Sequence, residues 1–331
     1  MTTPTPTPTA ECGCCINQNY THFFHIDKYA KYTILSQLED NFKSFLDTAF
    51  LNIGAFTNID RPTGTLYGGN MAKLNSVSDP ALPSGSAWET SKKDWIWEDC
   101  CTYSGATPID ISGVYVNNIF YPEPTGASPY TYNLNYPLGR VTFASGIPLN
   151  SNVEMSYSYR NVQVYKSNES AWFKELQYAS YDPTKFNNIK QITSNHRVQM
   201  PSIVLEFLPG MDMKPYEIGS TSNIIYQDLM LNILTESYSD RAIILDILVQ
   251  QKDRPIYLYD INKVVNDGVY PLNYDGSINP SGLSYTDLVE NTDYKLTIVY
   301  IKKADVIDLN NYGQNLYIGN LRYRLEIFPW Y

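Results

Sequence analysis

The side chains best suited to chemistry in this 331-residue chain fall into small groups. Cys12, Cys14 and Cys15 are followed by His22 and His25, and Cys100 and Cys101 stand apart. Thiolates and imidazoles are preferred zinc ligands, but structural zinc draws on well-spaced pairs. Cys12-x-Cys14-Cys15 with His22-x-x-His25 fits that spacing badly, so the expectation is ordinary reduced thiols and no metal. Adjacent cysteines make poor disulfide partners and the total of five is odd, which argues against a secreted disulfide framework. The best carboxylate pair is Glu98-Asp99 beside Trp95 and Trp97, residue types a glycosidase would use. Neighbours on a strand point to opposite faces, so this pair does not easily flank one bond. His22, His25 and His196 leave few general bases. There is no Gly-x-Ser-x-Gly elbow, phosphate loop, His-Glu-x-x-His or dinucleotide fingerprint. Asp267-Gly268 and Asp275-Gly276 read as turns rather than as a calcium loop. The chemistry therefore points to a protein that is not an enzyme and carries no cofactor.

The composition says what kind of elements hold these groups. Hydrophobic residues make up 43% of the chain, enough for a real core in two domains or in one with a large insertion. Tyrosine is the outlier, with 29 residues in a chain only 18% charged. Its apolar ring and partner-seeking hydroxyl suit strands and half-wet subunit contacts. A net charge of −10 and a pI of about 4.8 argue against a phosphate-binding groove. Basic runs do not exceed Lys92-Lys93 and Lys302-Lys303. The most apolar stretches, such as residues 242–249, are too short to cross a bilayer, and the start of the chain lacks the apolar segment of a secretory signal. The expectation is a soluble protein made in a cytoplasm, with neither a membrane nor a sequence-specific nucleic acid as partner.

Residues 1–25 read as an extended Thr/Pro-rich arm. Residues 26–56 read as a long amphipathic helix with Leu35, Leu38, Phe42, Phe45, Leu46 and Ala49 on one stripe, ending near Ile53-Gly54. That stripe needs a partner, and the C-terminal sheet is the obvious one. Residues 57–93, rich in Gly, Pro, Ser and Asn, read as an extended loop or arm kept for a contact. Residues 94–165 read as a small all-β unit, sandwich or meander, inserted between the helix and the C-terminal unit. Trp95 and Trp97 alternate, which places both rings on one strand face as core or interface anchors. Residues 166–200 form a polar connector.

Residues 201–331 have the most regular pattern. Ile203, Leu205 and Phe207 share one strand face, and Leu229, Leu231 and Ile233 another. Residues 240–251 have helical spacing, with Ile243, Ile244, Ile247 and Leu248 apolar and Asp240 or Ser239 as the cap. Strands follow at 255–261, 294–301 and 321–327. The fold class is α+β: a mixed or antiparallel C-terminal sheet packed with helices, plus the inserted all-β unit and the N-terminal arm.

Glu206, Pro215-Tyr216-Glu217-Ile218-Gly219, Thr235-Glu236, Asp240-Arg241 and Tyr259-Asp260 carry a resemblance. In that setting, residues 200–330 resemble tail-terminator and neck proteins of tailed bacteriophages, whose sheet-and-helix fold assembles as rings. Residues 113–118, 139–143 and 153–159 are similar to small β modules of phage structural proteins, and 57–165 would be an addition to the ring fold. The resemblance implies a neck or tail-terminator subunit joining the tail to the head connector, located in the virion and assembled in the host bacterial cytoplasm. Its implied partners are identical subunits, the tail tube or sheath, and the head–tail connector. Candidate interface residues are Pro215, Tyr216, Glu217, Tyr67, Asn70, Trp95, Trp97 and Arg241. The alternative is a receptor-binding, baseplate or tail-fibre-associated protein that stacks sugars on Tyr115, Tyr130, Tyr132, Tyr157 and Tyr159. Exposed tyrosines would mark that alternative, and buried ones would mark the ring.

Overall fold

A helix, α1 (Ile34–Asn52), opens the described part of the chain because Leu38, Phe42, Phe45, Leu46 and Phe50 recur on one face. All five are buried in one cluster with the C-terminal sheet. Gly54 stops the helix at φ +82, a left-handed position that costs glycine nothing. Asn41 is fully buried on the same helix. Its Nδ2 donates to the Tyr259 carbonyl at 3.1 Å, and its Oδ1 accepts from the Tyr259 N–H at 2.8 Å. The amide thus imitates one rung of a neighbouring strand and ties α1 to the sheet. The computed structural model describes residues 34–61, 65–66, 69–98, 101–123, 130–170, 172–173, 198–216, 223–312 and 316–328. The arm at 1–25 lies outside the described residues, as do residues 26–33, Tyr67 and Glu217.

The C-terminal sheet runs in the order Gln163–Lys166, Ser202–Phe207, Asn223–Thr235, Leu316–Phe328, Lys295–Tyr312, Pro255–Tyr259, and Asp212–Pro215 pairs with the first part of Asn223–Thr235. The first pair is parallel and the others antiparallel, so the sheet is mixed. A second helix, α2 (Tyr238–Val249), packs Ile244, Leu245 and Leu248 into the same cluster as α1. Its cap is Ser237, whose side chain accepts from the Asp240 N–H, because the helix starts earlier than its apolar pattern does. Two short helices, α3 (Ile261–Asp267) and α4 (Tyr285–Glu290), occupy the excursion between Pro255–Tyr259 and Lys295–Tyr312.

A second core gathers Leu74, Trp88, Trp95, Val114, Val141 and Tyr157, among others. Around it runs an antiparallel sheet in the order Ile119–Pro122, Gly113–Val116, Val153–Glu154, Lys73–Val77, Ala87–Glu89, Arg140–Phe143, Tyr132–Asn135. Residues 57–93 are therefore not an arm without regular structure. They supply Lys73–Val77 and Ala87–Glu89 to the middle of this sheet, with Ala72, Leu74, Ala87 and Trp88 buried. Strands of five and three residues are too short for a period of two to show against their turn-forming neighbours. Residues 163–166 also fall differently from the sequence reading, since they join the C-terminal sheet beside Ser202–Phe207. The architecture is α+β, mostly sheet with few helices.

Candidate functional site: two open flanks of one sheet

The longest elements form a hairpin, Lys295–Tyr312 against Leu316–Phe328. Leu316–Phe328 is paired on both sides, to Asn223–Thr235 and to Lys295–Tyr312. Lys295–Tyr312 is not. Pro255–Tyr259 covers its outer edge from Lys295 to Tyr300, and beyond Ile301 no described strand pairs with that edge. An open edge presents unpaired backbone donors and acceptors, which is a template for another chain. Here Val306, Ile307 and Leu309 lie along it at 44%, 53% and 53% exposure. Bulges between Ile301 and Lys303 and between Val306 and Asp308 break the alternation, and Lys302, Lys303, Asp305 and Asp308 interrupt the apolar run. Such charges guard an edge against indiscriminate pairing.

The far end of the hairpin is held from behind by Arg241. Its guanidinium Nη1 donates to the carbonyls of Asn310 and Ile318, each at 3.1 Å, from opposite strands of the hairpin. The rings of Tyr238 and Tyr317 lie 5.1 and 5.6 Å from it. Gly319 makes room, since a Cβ there would meet Leu245 at 3.0 Å. Arg241 is buried at 4% exposure, so its own guanidinium is not a surface contact. The sequence reading placed it at an interface. The structure places it one layer beneath, fixing the edge that is exposed.

The other flank is Asp212–Pro215, exposed along its length and paired only with residues 223–226 among the described strands. Met211, Met213 and Tyr216 are exposed beside it, and Tyr216 meets Phe328 edge-on at 6.4 Å. Pro215 has no N–H to offer, which shortens any pairing there. Between the flanks, the outer sheet face carries half-exposed charge pairs. Lys302 bonds Glu326 at 2.7 Å, which also accepts from the Tyr226 hydroxyl at 3.1 Å, and Arg322 pairs with Asp228. Such solvent-screened pairs contribute little stability.

No family model matches the chain, and no curated protein is significantly similar to it. The remaining sequence candidates scatter. Asn70 is exposed but committed to Glu154 Oε1 at 3.0 Å. Trp95 is fully buried in the second core, its indole donating to Thr90 Oγ1 at 3.1 Å. Trp97 is half-buried and lines a cavity against α1. The two rings do not share a strand face, because Asp94 at φ +57 breaks the strand and leaves Trp95 as an isolated bridge to Tyr159. Tyr132, Tyr157 and Tyr159 are buried, and Tyr115 lies beneath the Arg61 guanidinium at 4.1 Å. Tyr132, Tyr157 and Tyr159 are therefore not part of an exposed sugar platform. Among the described residues, no His, Cys, Asp and Glu group is arranged to hold a metal, and no helix is long and apolar enough to cross a membrane. Cys12, Cys14, Cys15, His22, His25, Asp99 and Cys100 lie outside the described residues.

Proposed function

We propose that this chain is an architectural subunit of a tailed-bacteriophage virion, a neck or tail-terminator protein that closes into a ring between the tail and the head connector. One observation carries the reading: among the described residues, residues 302–312 and 212–215 of one sheet present unlike edges without a strand partner, on opposite sides. A ring built head to tail needs two different patches per subunit, one meeting the other on the next copy. Both flanks have exposed apolar side chains and unpaired backbone, and Arg241 stiffens one of them. Burial of Tyr132, Tyr157 and Tyr159 weighs against the receptor-binding alternative.

In this reading the second core, with its own sheet, is a module inserted between α1 and the C-terminal sheet, and residues 1–25 are an arm that orders on a neighbour. The partners are identical subunits, the tail tube or sheath, and the connector, and the place of action is the virion after assembly in the bacterial cytoplasm. Light scattering on the purified protein, followed by negative-stain imaging of the same peak, tests it. A closed ring, alone or on mixing with tail tubes, is the expected result. A stable monomer that ignores tubes and binds host cells would overturn it.

A further inference from the structure

The helix α1 has two faces. Opposite its apolar stripe, Asp40, Lys43, Ser44, Asp47 and Thr48 line a cavity of about 330 Å³. Asp94, Glu98 and Arg160 form the facing wall, and Trp97, Tyr259, Tyr270 and Tyr285 surround them with rings. Lys43 Nζ pairs with Asp47 Oδ2 at 2.6 Å, and Arg160 bridges Asp94 at 3.3 Å and Glu98. Asp40, Asp47, Asp94 and Glu98 thus line the cavity with Lys43 and Arg160, and Lys166, outside the lining, holds Asp40 at 2.7 Å.

The pairing leaves specific atoms over. Asp47 Oδ1, Glu98 Oε2 and Arg160 Nε are buried without a hydrogen-bond partner. The side chains of Glu98 and Arg160 are only 6% and 5% exposed, so their free atoms are reached only through the cavity. Burial pushes the Asp94 carboxyl up, against the pull of the Arg160 charge. Two acceptors lack donors and one donor lacks an acceptor.

We propose that this cavity binds a small organic ammonium with a neighbouring hydroxyl, the chemistry of an amino alcohol or amino sugar. An ammonium offers three N–H donors to the carboxylate oxygens of Asp47 and Glu98, and an adjacent hydroxyl oxygen accepts from Arg160 Nε. The aromatic walls attract a cation and cover apolar ring faces. The volume lies at the lower end of small-molecule pockets, which start at about 300 Å³. A free anion is disfavoured by the unpartnered carboxylate oxygens of Asp47 and Glu98. The proposal stands apart from the ring reading and survives its failure.

Titration of the full chain with glucosamine, glucose and propylamine, read by ligand-observed NMR and by protein thermal shift, tests it. Glucosamine is expected to saturate with a Kd of about 1 mM or tighter, and glucose and propylamine to bind at least about tenfold more weakly. Asp47→Asn, which keeps the size of the side chain, is expected to weaken glucosamine by about tenfold with an unchanged circular dichroism spectrum. Absence of saturable glucosamine binding to the parent protein overturns the proposal. So does equal binding of glucose, which would make the charge irrelevant, or of propylamine, which would make the hydroxyl irrelevant.

Discussion

Arg241→Ala is expected to loosen the far end of the hairpin before it affects anything else. The substitution removes two charge-assisted bonds, to Asn310 and Ile318, and the ring contacts with Tyr238 and Tyr317. Bonds to a charged group contribute about 1.5–3 kcal/mol each, and a cation–π contact near the surface about 0.5–1 kcal/mol. Tyr238 is 63% exposed, so water can reach part of this corner and re-satisfy the freed carbonyls. The low end of those ranges applies, giving a loss of about 4 kcal/mol. Domains of this kind hold about 5–15 kcal/mol, so the variant still folds at 25 °C. Arg241→Lys keeps the charge but not the fork, and is expected to lose about half as much. Urea unfolding gives the total, and hydrogen exchange resolved by peptide gives the location. Protection should fall most at residues 302–312 and 316–320, and least at Ser202–Phe207, which pairs on both sides. If Arg241 were instead a direct subunit contact, monomer stability would move by less than about 0.5 kcal/mol and only association would suffer. That outcome, or an even loss of protection over the whole sheet, would refute the clamp.

Asn41→Ala should cost about 2–4 kcal/mol in urea unfolding, since it strands the buried N–H and C=O of Tyr259. A cost below about 1 kcal/mol would show that the strand end finds other partners. Val306→Thr, Ile307→Thr and Leu309→Thr together should cost the monomer no more than about 3 kcal/mol, the worth of the half of each side chain already covered. Covering the half still open is worth about 1 kcal/mol each, so ring association should weaken about 100-fold by sedimentation equilibrium. Unchanged assembly would move the contact elsewhere. Glu154 supplies the pH prediction. Burial alone would raise its carboxyl, but hydrogen bonds from Arg61, Asn152 and Asn70 outweigh that and hold it below the usual 4.5. Its stabilisation is therefore present above that value and lost as pH falls through the lowered one. Glu154→Gln should flatten the acid limb of the stability profile below about pH 5, and an unchanged limb would assign that loss to other groups.

Much of the C-terminal sheet was legible because its strands alternate cleanly: residues 321–327 put Leu321, Tyr323, Leu325 and Ile327 on the core face. The same logic ended Lys295–Tyr312 at Ile301, and there the edge went unseen. Two bulges shift the register, so Val306, Ile307 and Leu309 keep no common period even though they share a strand. A pattern that looks for alternation discards such a segment as loop. Asn41 was missed for a related reason. One polar residue on an apolar flank reads as noise until Tyr259, 218 positions away, comes to meet it.

The candidate site was less legible than the fold because its parts are joined only by topology. Arg241 and Asn310 stand 69 residues apart, and neither has a local motif that announces the other. The sequence reading chose Arg241 as a contact because Asp240-Arg241 is among the residues that carry the phage resemblance. The sheet explains why it is not: Gly319 leaves a gap over the hairpin, Leu245 and the Arg241 stem fill it, and the guanidinium is drawn to the strand carbonyls. Selection for a stiff edge would act on Arg241 and Gly319, whereas selection for a partner would act on Ile307 and Leu309. The two sets can therefore be separated by experiment. Substitutions at Arg241 should disturb the monomer first and assembly as a consequence, and those at Ile307 and Leu309 should weaken assembly beyond what the lost monomer stability accounts for. A protein whose open edge was only an accident of the fold would show the first effect without the second.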